Sequence, residues 1–199
     1  MKIKSFYFVL AFLFISLLPS SFSSENTGLI SLGDKNAKIT IKVFSSLTCP
    51  HCANFHKKIF KKLEKDFISK KIVRFEHHGF PLDLAALNAE KVLNCFKNEQ
   101  KKLNFLNEIY EKQEVWASGS DINSINSNLV KIGKNHGLNN DTISNCLSDE
   151  NLENEILNER IMSNKKYSIE STPTILVNEK KYEGKHNYED FKKVIKKLL

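Results

Sequence analysis

The sequence has little arginine, proline, glycine or cysteine, and each shortage excludes a class of protein. Of its 199 residues only four are proline and seven are glycine, which excludes a collagen-like chain and a proline-rich linker. Only Arg74 and Arg160 are arginine, whereas a nucleic-acid-binding surface needs clustered basic residues with stacking aromatics. We therefore expect no nucleic-acid partner. Four cysteines are too few to staple a small scaffold, so their positions carry the information.

The composition is that of a globular chain with a mild basic excess. Hydrophobic residues make up 41% and charged residues 27% of the chain, a balance that can bury a core and argues against disorder. The formal net charge is +7, but lysines alternate with acidic residues, as in residues 61–67, which is typical of solvated helix faces. The length fits one domain, or one domain that carries an insertion.

Residues 1–23 have the pattern of a secretory signal peptide. The cationic start MKIK precedes a 14-residue apolar run at 5–18, which is shorter than the roughly 20 residues needed to span a membrane. Small residues at Ser21 and Ser23 predict cleavage after Ser23; an uncleaved membrane anchor is the alternative. Export predicts an oxidising compartment, where disulfides persist, and we expect this compartment to be the periplasm.

Strand patterns flank a turn that contains two cysteines. Residues 37–46 are rich in β-branched and aromatic side chains and predict a strand. Apolar residues after the turn recur with helical spacing, and residues 71–78 predict a second strand. Two parallel strands joined by a helix form a right-handed βαβ unit.

A long helical segment follows this unit. Between residues 82 and 168 only helical patterns occur, and Asn-, Ser- and Gly-rich stretches at 118–128 and 133–141 interrupt them. This length is too great for a crossover between two strands, so we interpret the segment as an inserted helical subdomain.

The C-terminal part predicts a β-hairpin and a helix. The hairpin strands are residues 174–178 and 180–184, and the last helix runs from about 188 to 199 with Asn187 as its cap. The predicted fold class is α/β, in the order βαβ, helical insertion, ββα. The predicted segments are a signal peptide (1–23), the first part of the α/β domain (24–81), the insertion (82–168) and the second part of the α/β domain (169–199).

The motif Cys49-Pro50-His51-Cys52 carries the chemistry. Two cysteines separated by two residues can close a small disulfide, and the N–H groups and dipole of a helix N-terminus favour a negative charge. We expect Cys49 to be exposed on one side with a lowered pKa, since the thiolate is the reactive form. Cys52, one turn further, should be the more buried, resolving thiol. Pro50 fixes φ at the helix start, and His51 can donate a hydrogen bond or carry positive charge beside the thiolate.

Two other uses of the cysteine pair are weaker. A permanent disulfide would close so small a loop that it removes little chain entropy. Zinc needs four ligands, and no second cysteine or histidine pair has the required spacing, although His56, His77 and His78 are present. We predict no metal and no cofactor beyond the redox-active Cys49–Cys52 disulfide.

Thr172-Pro173 stands at the head of a predicted strand, where proline cannot donate to the ladder. A cis Thr172–Pro173 bond would turn the chain tightly and leave a backbone edge free. An extended substrate peptide could add to that edge as a strand. A trans proline in an ordinary turn is an equal alternative on the local sequence alone.

This layout resembles the DsbA-like thiol-disulfide oxidoreductases of the thioredoxin superfamily. The similarity spans about residues 33–198 and rests on GDKNAKITIKVFSSLTCPHC, on FPL before the helices, and on TPTILVN. It implies a thioredoxin fold with a helical insertion. It also implies Cys49 as the nucleophile, Cys52 as the resolving cysteine, and a cis Pro173 that faces them.

One position departs from the family pattern. Many members carry a buried acid six residues before the first active cysteine, and here Val43 occupies that place. A proton acceptor for Cys52 is therefore missing there, or is supplied by water or another group. The departure affects the expected rates more than the expected chemistry.

Cys95 and Cys146 both fall in the helical insertion. Two thiols in one subdomain of an exported chain are most simply paired, and some DsbA-like proteins have a second, non-catalytic bridge. A loop of about 50 residues would contribute roughly 4 kcal/mol in the chain-entropy model. Two buried free thiols, or a redox relay with Cys49, are the alternatives.

We expect an exported enzyme that introduces disulfides into other exported proteins by dithiol–disulfide exchange. Its expected substrates are unfolded or reduced exported proteins, and the resemblance implies a DsbB-like membrane partner that reoxidises it. A periplasmic isomerase or reductase, and a metal carrier that uses Cys49, Cys52 and a histidine, are the alternatives. Residues 24–36 are too short for a dimerisation domain, so we expect a monomer.

Overall fold

Residues 29–199, the part of the chain that this computed structural model describes, contain one five-stranded sheet. The signal peptide predicted at 1–23 lies outside the described residues. The strands are β1 (Ile30–Leu32), β2 (Ile39–Ser45), β3 (Val73–Gly79), β4 (Thr174–Val177) and β5 (Lys180–Lys181). They lie side by side in the order β1-β3-β2-β4-β5.

One long helix follows β2 and a run of shorter ones follows β3. Helix α1 begins with Pro50–Phe55 and continues without a break through His56–Phe60, Lys61–Leu63 and Glu64–Ile68, the second and fourth segments with wider π-type turns. The others are α2 (Leu84–Asn94), α3 (Glu99–Glu111), α4 (Gln113–Trp116), α5 (Ile122–Asn135), α6 (Asn140–Ser148), α7 (Glu150–Tyr167) and α8 (Tyr188–Leu198). Within the described residues, no helix is both long enough and apolar enough to cross a membrane.

Strand β2 lies at the centre of the sheet. It runs parallel to β3, its partner across α1, and antiparallel to β4. The predicted thioredoxin fold, βαβ followed by a helical insertion and ββα, is confirmed. The outer strand β1 pairs antiparallel with β3, and the sequence did not predict it because three residues are too few to show an alternating pattern.

The two larger apolar clusters both include residues of α1, the helix that follows the cysteine turn. The first lies between one face of the sheet and helices α1 and α8, and includes Val43, Phe55, Ile175 and Phe191. The second is the core of the helical insertion, and it also includes Leu47, Cys49 and Cys52. The cysteine pair therefore lies where the insertion packs against the α/β part.

The prediction that residues 118–128 interrupt the helices is wrong for most of that stretch. Helix α5 begins at Ile122, inside it, because Asp121 caps the helix. The Asp121 carboxylate accepts hydrogen bonds from the backbone N–H groups of Asn123 and Ser124. A side chain that satisfies the free N–H groups of a first turn thus outweighs the low helix propensity of asparagine and serine.

The C-terminal hairpin is shorter than predicted. Its turn is formed by Asn178 and Glu179, both with positive φ (48° and 66°), but β5 contains only two residues instead of the five predicted at 180–184. The chain leaves the sheet at Tyr182, whose ring stacks on Phe191 of α8 with centroids 4.3 Å apart.

Candidate active site

Cys49 occupies the N-cap position of α1, directly after the turn that follows β2. Its backbone N–H donates to the Ser46 carbonyl oxygen, and its own carbonyl oxygen accepts from the Ala53 N–H, each at 3.1 Å. Pro50 takes the first helical position, where a backbone N–H would have no helical partner. The local sequence therefore places the Cys49 sulfur at the N-terminal end of α1.

The Cys49 side chain faces the loop that leads into β4. Its sulfur lies 3.3 Å from the backbone carbonyl oxygen of Thr172, to which it donates a hydrogen bond only when protonated, although the two residues are 123 positions apart. The Thr172–Pro173 peptide bond is cis. The fold thus brings together the two motifs that the sequence singled out.

The surroundings of the Cys49 sulfur lower its pKa from the ordinary 9.0 to about 5. The largest cause is a hydrogen bond from the Cys52 thiol, while burial opposes the shift. The Thr172 side chain and the backbone N–H groups of Cys52 and His51 contribute further lowering. Only 9% of Cys49 is exposed, so the sulfur is more enclosed than the sequence indicated.

Cys52 has the opposite character. It is 1% exposed, and burial, followed by its contact with the Cys49 sulfur, raises its pKa. Both cysteines are free thiols in this structure. At neutral pH the pair therefore consists of a Cys49 thiolate and a Cys52 thiol that hydrogen-bonds it, which is a nucleophile beside a proton-bearing partner.

The two residues between the cysteines are exposed. His51 acts on the thiolate through its backbone N–H rather than through its ring. His186, in the loop before α8, lies close enough to His51 that the His51 charge, after burial, lowers the pKa of His186. The sequence did not predict His186 at this site. It reaches His51 because the chain returns past the cysteine turn after the β4–β5 hairpin.

The helical insertion holds the cysteine turn through hydrogen bonds that the sequence did not predict. The side-chain amide of Gln113, in α4, donates to the carbonyl oxygens of Leu47 and Cys49 at 2.7 and 3.1 Å. The Thr48 hydroxyl donates to the Asp83 carboxylate at 2.7 Å, and Asp83 also caps α2. Glutamine and aspartate are common polar residues, so no sequence pattern distinguished these two.

The three histidines considered as metal ligands have other partners. His56 contacts Asn107 at 2.7 Å, His77 contacts Tyr110 at 3.1 Å, and His78 contacts Glu76 at 3.2 Å. Throughout residues 29–199, no group of three or more histidine, cysteine, aspartate or glutamate side chains is placed to hold a metal ion. The structure therefore adds no support for the metal-carrier alternative.

Cys95 and Cys146 form a disulfide, the pairing that the sequence favoured over two free thiols. Cys95 lies at the C-terminal end of α2 and Cys146 in α6. The bond thus ties two helices of the insertion together.

A family model described as Thioredoxin matches residues 25–197 of this chain. Among curated proteins, disulfide bond formation protein D of Bacillus subtilis is 29% identical over 177 residues, which cover 84% of this chain and 76% of that protein. A Rickettsia typhi protein whose name describes it as a protein-disulfide oxidoreductase is 25% identical over 158 residues. That match covers 79% of this chain and 57% of the Rickettsia protein, so the chain spans little more than half of that relative.

Solved structures with a similar fold include proteins named DsbA1 and BdbD. Wolbachia pipientis alpha-DsbA1 superposes with a TM-score of 0.78 at 26% sequence identity, covering 85% of this chain and 90% of that one. Oxidised BdbD from Bacillus subtilis superposes with a TM-score of 0.72 at 28% identity, covering 86% and 92%.

Proposed function

We propose that this chain, which belongs to the thioredoxin family, introduces disulfide bonds into other exported proteins. The chain is a DsbA-like thiol-disulfide oxidoreductase. The observation that carries the proposal is the pKa of about 5 at Cys49 beside a Cys52 whose pKa is raised.

The lowered pKa of Cys49 favours an oxidase over a reductase. Whatever stabilises the thiolate stabilises the reduced protein, and so makes the Cys49–Cys52 disulfide more ready to accept electrons. Each pKa unit is worth about 1.4 kcal/mol, which shifts a two-electron potential by about 30 mV. A shift of several units therefore separates this pair from an ordinary reducing dithiol.

The exchange proceeds in two thiolate attacks. A substrate thiolate attacks the Cys49 sulfur, the Cys49–Cys52 bond breaks, and Cys52 leaves with the bonding electrons and gains a proton. A second substrate thiolate then attacks the substrate sulfur of the mixed disulfide and releases Cys49 as a thiolate. The substrate loses two electrons and gains a disulfide, and the two electrons remain on Cys49 and Cys52.

Thr172 and Pro173 are the proposed substrate-binding residues. The Thr172 carbonyl oxygen lies 3.3 Å from the Cys49 sulfur, so a peptide that paired with this backbone would bring its own cysteine to the reacting atom. Extended peptides bind to free backbone edges by strand addition, in which main-chain hydrogen bonds provide the affinity whatever the side-chain sequence. This mode suits an enzyme that acts on many unfolded proteins.

The proposed compartment is based on the signal-peptide pattern of residues 1–23, and the proposed partners are based on the dithiol–disulfide exchange. Cleavage after Ser23 would release the mature chain as a monomer into the periplasm, where reduced exported proteins are its substrates. Each turnover leaves Cys49 and Cys52 reduced, so a DsbB-like membrane partner is proposed to remove the two electrons. No resident cofactor takes part, because the disulfide itself is the electron acceptor.

A glutathione redox titration of the Cys49–Cys52 pair in the full chain tests the direction. We expect a potential above about −200 mV, whereas a value near that of thioredoxin, about −270 mV, would reject the oxidase in favour of a reductase. The oxidase activity is measured by the refolding of a reduced, unfolded test protein. Cys49→Ala should abolish it, and the double variant Cys95→Ala/Cys146→Ala is the matched control that should retain it.

A further inference from the structure

Helices α1 and α8 gather lysines on one surface of the protein. The two helices pack side by side and bury their apolar sides in one cluster with the sheet, so their polar sides face solvent together. We call this surface the lysine face, because nine at least partly exposed lysines lie on it: Lys57, Lys58, Lys61, Lys62 and Lys65 of α1, and Lys192, Lys193, Lys196 and Lys197 of α8. The same two helices contain four acidic residues.

One aromatic ring joins the lysines of the two helices. Lys62 of α1 and Lys192 of α8 both lie over the ring of Tyr188, with their Nζ atoms 5.4 and 5.7 Å from its centroid. Cations are attracted to the face of an aromatic ring, and the Tyr188 hydroxyl donates a hydrogen bond to the Asp66 carboxylate. The lysine face is therefore one continuous surface rather than two separate stripes.

Most of this positive charge has no ion-pair partner. Among the described residues, only two of the nine lysines form an ion pair: Lys61 with Glu111 and Lys193 with Asp190, each at 3.4 Å. The inserted helices differ, because residues 84–167 contain twelve acidic and ten basic residues. The basic excess is thus concentrated on one side of the folded protein, although lysines alternate with acidic residues along the chain.

The composition of the lysine face indicates what kind of partner fits it. Both arginines of the chain, the residue type best suited to bidentate recognition of nucleic-acid phosphates, lie elsewhere, in β3 and α7. Protein interfaces are built around buried anchors, and neither helix contains any of the exposed large apolar side chains of the described residues, which are Leu82, Leu84, Val115, Ile161, Met162 and Leu199. Flexible ammonium groups spread over a surface instead suit an array of single negative charges, such as the phosphodiester headgroups of an anionic bilayer.

We propose that the lysine face binds an anionic phospholipid membrane and holds the protein there peripherally, by charge attraction and without insertion. Each lysine near such a membrane adds to the attraction, so several together give reversible binding that one or two do not. No bond is formed or broken in this step.

Attachment by this surface leaves the reactive cysteine accessible. Lys38, directly before β2, donates from Nζ to the Leu199 carbonyl oxygen at 3.1 Å, so the chain end after α8 lies beside the start of β2. Cys49 follows the other end of this seven-residue strand, which is about 20 Å long. The lysines of α1 begin at Lys57, about 10 Å along the helix from Pro50. The lysine face therefore extends away from the cysteine end.

The attachment deepens the proposed function, because it rests on the export of the chain and names the surface at which the exported protein works. A protein held at the membrane meets reduced chains as they emerge from it and stays near the proposed membrane reoxidant. Vesicle binding itself needs neither the oxidase direction nor the reoxidant, so its failure and the failure of the redox titration are separate results.

Co-sedimentation with lipid vesicles tests the membrane docking. The chain from Ser24 onwards is used, because the apolar run at 5–18 would itself bind lipid and every described strand and helix lies within 29–199. Vesicles of phosphatidylglycerol and phosphatidylcholine in equal parts should bind the protein, and vesicles of phosphatidylcholine alone should not. Raising the ionic strength from about 0.1 M to about 1 M, which shortens the Debye length from about 10 Å to about 3 Å, should release it.

A triple variant locates the binding on the lysine face. Lys58→Gln/Lys65→Gln/Lys196→Gln removes three exposed lysines, none of which belongs to the two ion pairs of the face. Binding to the anionic vesicles should weaken by about 100-fold, because each lysine near such a surface contributes about a fivefold gain in affinity.

The matched control removes the same charge from the helical insertion. Lys97→Gln/Lys131→Gln/Lys134→Gln changes three exposed lysines there and should keep the affinity for anionic vesicles within about 3-fold. The rate of Cys49 alkylation should be unchanged in both triple variants, which reports that the cysteine turn is intact.

Three outcomes would contradict the proposed membrane docking. The first is equal binding of the unaltered chain to anionic and neutral vesicles, or binding to neither. The second is an equal loss of binding in the two triple variants, which would assign the attraction to net charge alone. The third is binding to soluble poly-glutamate without binding to anionic vesicles, which would assign the lysine face to an acidic protein. Should a triple variant fail to fold, the dependence of the unaltered chain on lipid charge and on ionic strength still decides.

Discussion

Gln113 in the helical insertion donates a hydrogen bond of 3.1 Å to the carbonyl oxygen of Cys49 in the α/β part. The same amide nitrogen donates to Leu47 at 2.7 Å. The turn that carries the reactive sulfur is therefore held by a side chain from the inserted helices. The insertion contributes to the geometry of the nucleophile as well as covering it.

Replacement of Gln113 by leucine should weaken both the fold and the reaction. The change leaves a buried carbonyl oxygen without a donor, which costs about 1–3 kcal/mol, and it frees the turn that positions Cys49. Urea denaturation and the rate of thiol oxidation measure the two effects. Gln100→Leu, at an exposed position in α3, should change stability by no more than about 0.5 kcal/mol. Equal stability of the two variants would show that the buried amide is dispensable.

Removal of the Cys52 thiol should raise the pKa of Cys49. The hydrogen bond from Cys52 is the largest cause of the lowering, so in Cys52→Ala the value should move from about 5 towards the ordinary 9.0. The pH dependence of alkylation at Cys49 measures it. His51→Ala is the comparison, because only the backbone N–H of His51 contributes. A larger rise in His51→Ala than in Cys52→Ala would assign the main effect to the imidazole instead.

Glu90 should make the oxidised protein less stable as the pH rises. Burial raises the pKa of Glu90, in α2, to about 8. The folded protein therefore keeps the Glu90 proton up to about pH 8, whereas the unfolded chain releases it near 4.5. Between these values the folded state binds more protons, so the free energy of unfolding falls with increasing pH. The slope contributed by one group is at most about 1.4 kcal/mol per pH unit.

The Glu90→Gln variant has no ionisable carboxyl group at this position, so its free energy of unfolding should lack this pH dependence. Its stability relative to the wild type should therefore increase from about pH 4.5 to about pH 8. Denaturation of the oxidised forms at several pH values measures the difference without titration of Cys49. A difference that stays constant across this window would contradict the raised pKa.

The Cys95–Cys146 disulfide should contribute stability without taking part in the exchange. It closes a loop with a sequence separation of 51, for which the chain-entropy model gives about 4 kcal/mol. Cys95→Ala/Cys146→Ala should lose stability of this order and keep the rate of exchange at Cys49 under conditions where it is folded. Loss of exchange in the folded double variant would instead indicate a redox relay.

Features set by local sequence were predictable. The cysteine motif lies between β2 and α1 because a β-branched run meets a helical pattern there, and Asn187 caps α8 by accepting from the Asp190 N–H. A short motif also identified the cis Thr172–Pro173 bond once the family resemblance was considered. The first two signals are local, whereas the cis bond could be predicted only with the resemblance to a known family.

Features set by contacts between distant segments were not predictable. Gln113 and Glu90 lie in helices whose sequence shows only ordinary polar residues among apolar ones. Gln113 is buried against the cysteine turn and Glu90 against Gly79, and no periodicity reveals such contacts.

The Cys49 sulfur should be an anion at neutral pH, and titration of the reduced full chain tests this most directly. The thiolate absorbance in the ultraviolet is followed against pH, with Cys49→Ala as the baseline. A transition near pH 5 that disappears in Cys49→Ala is the predicted result. A single transition near the ordinary value of 9.0 would contradict it.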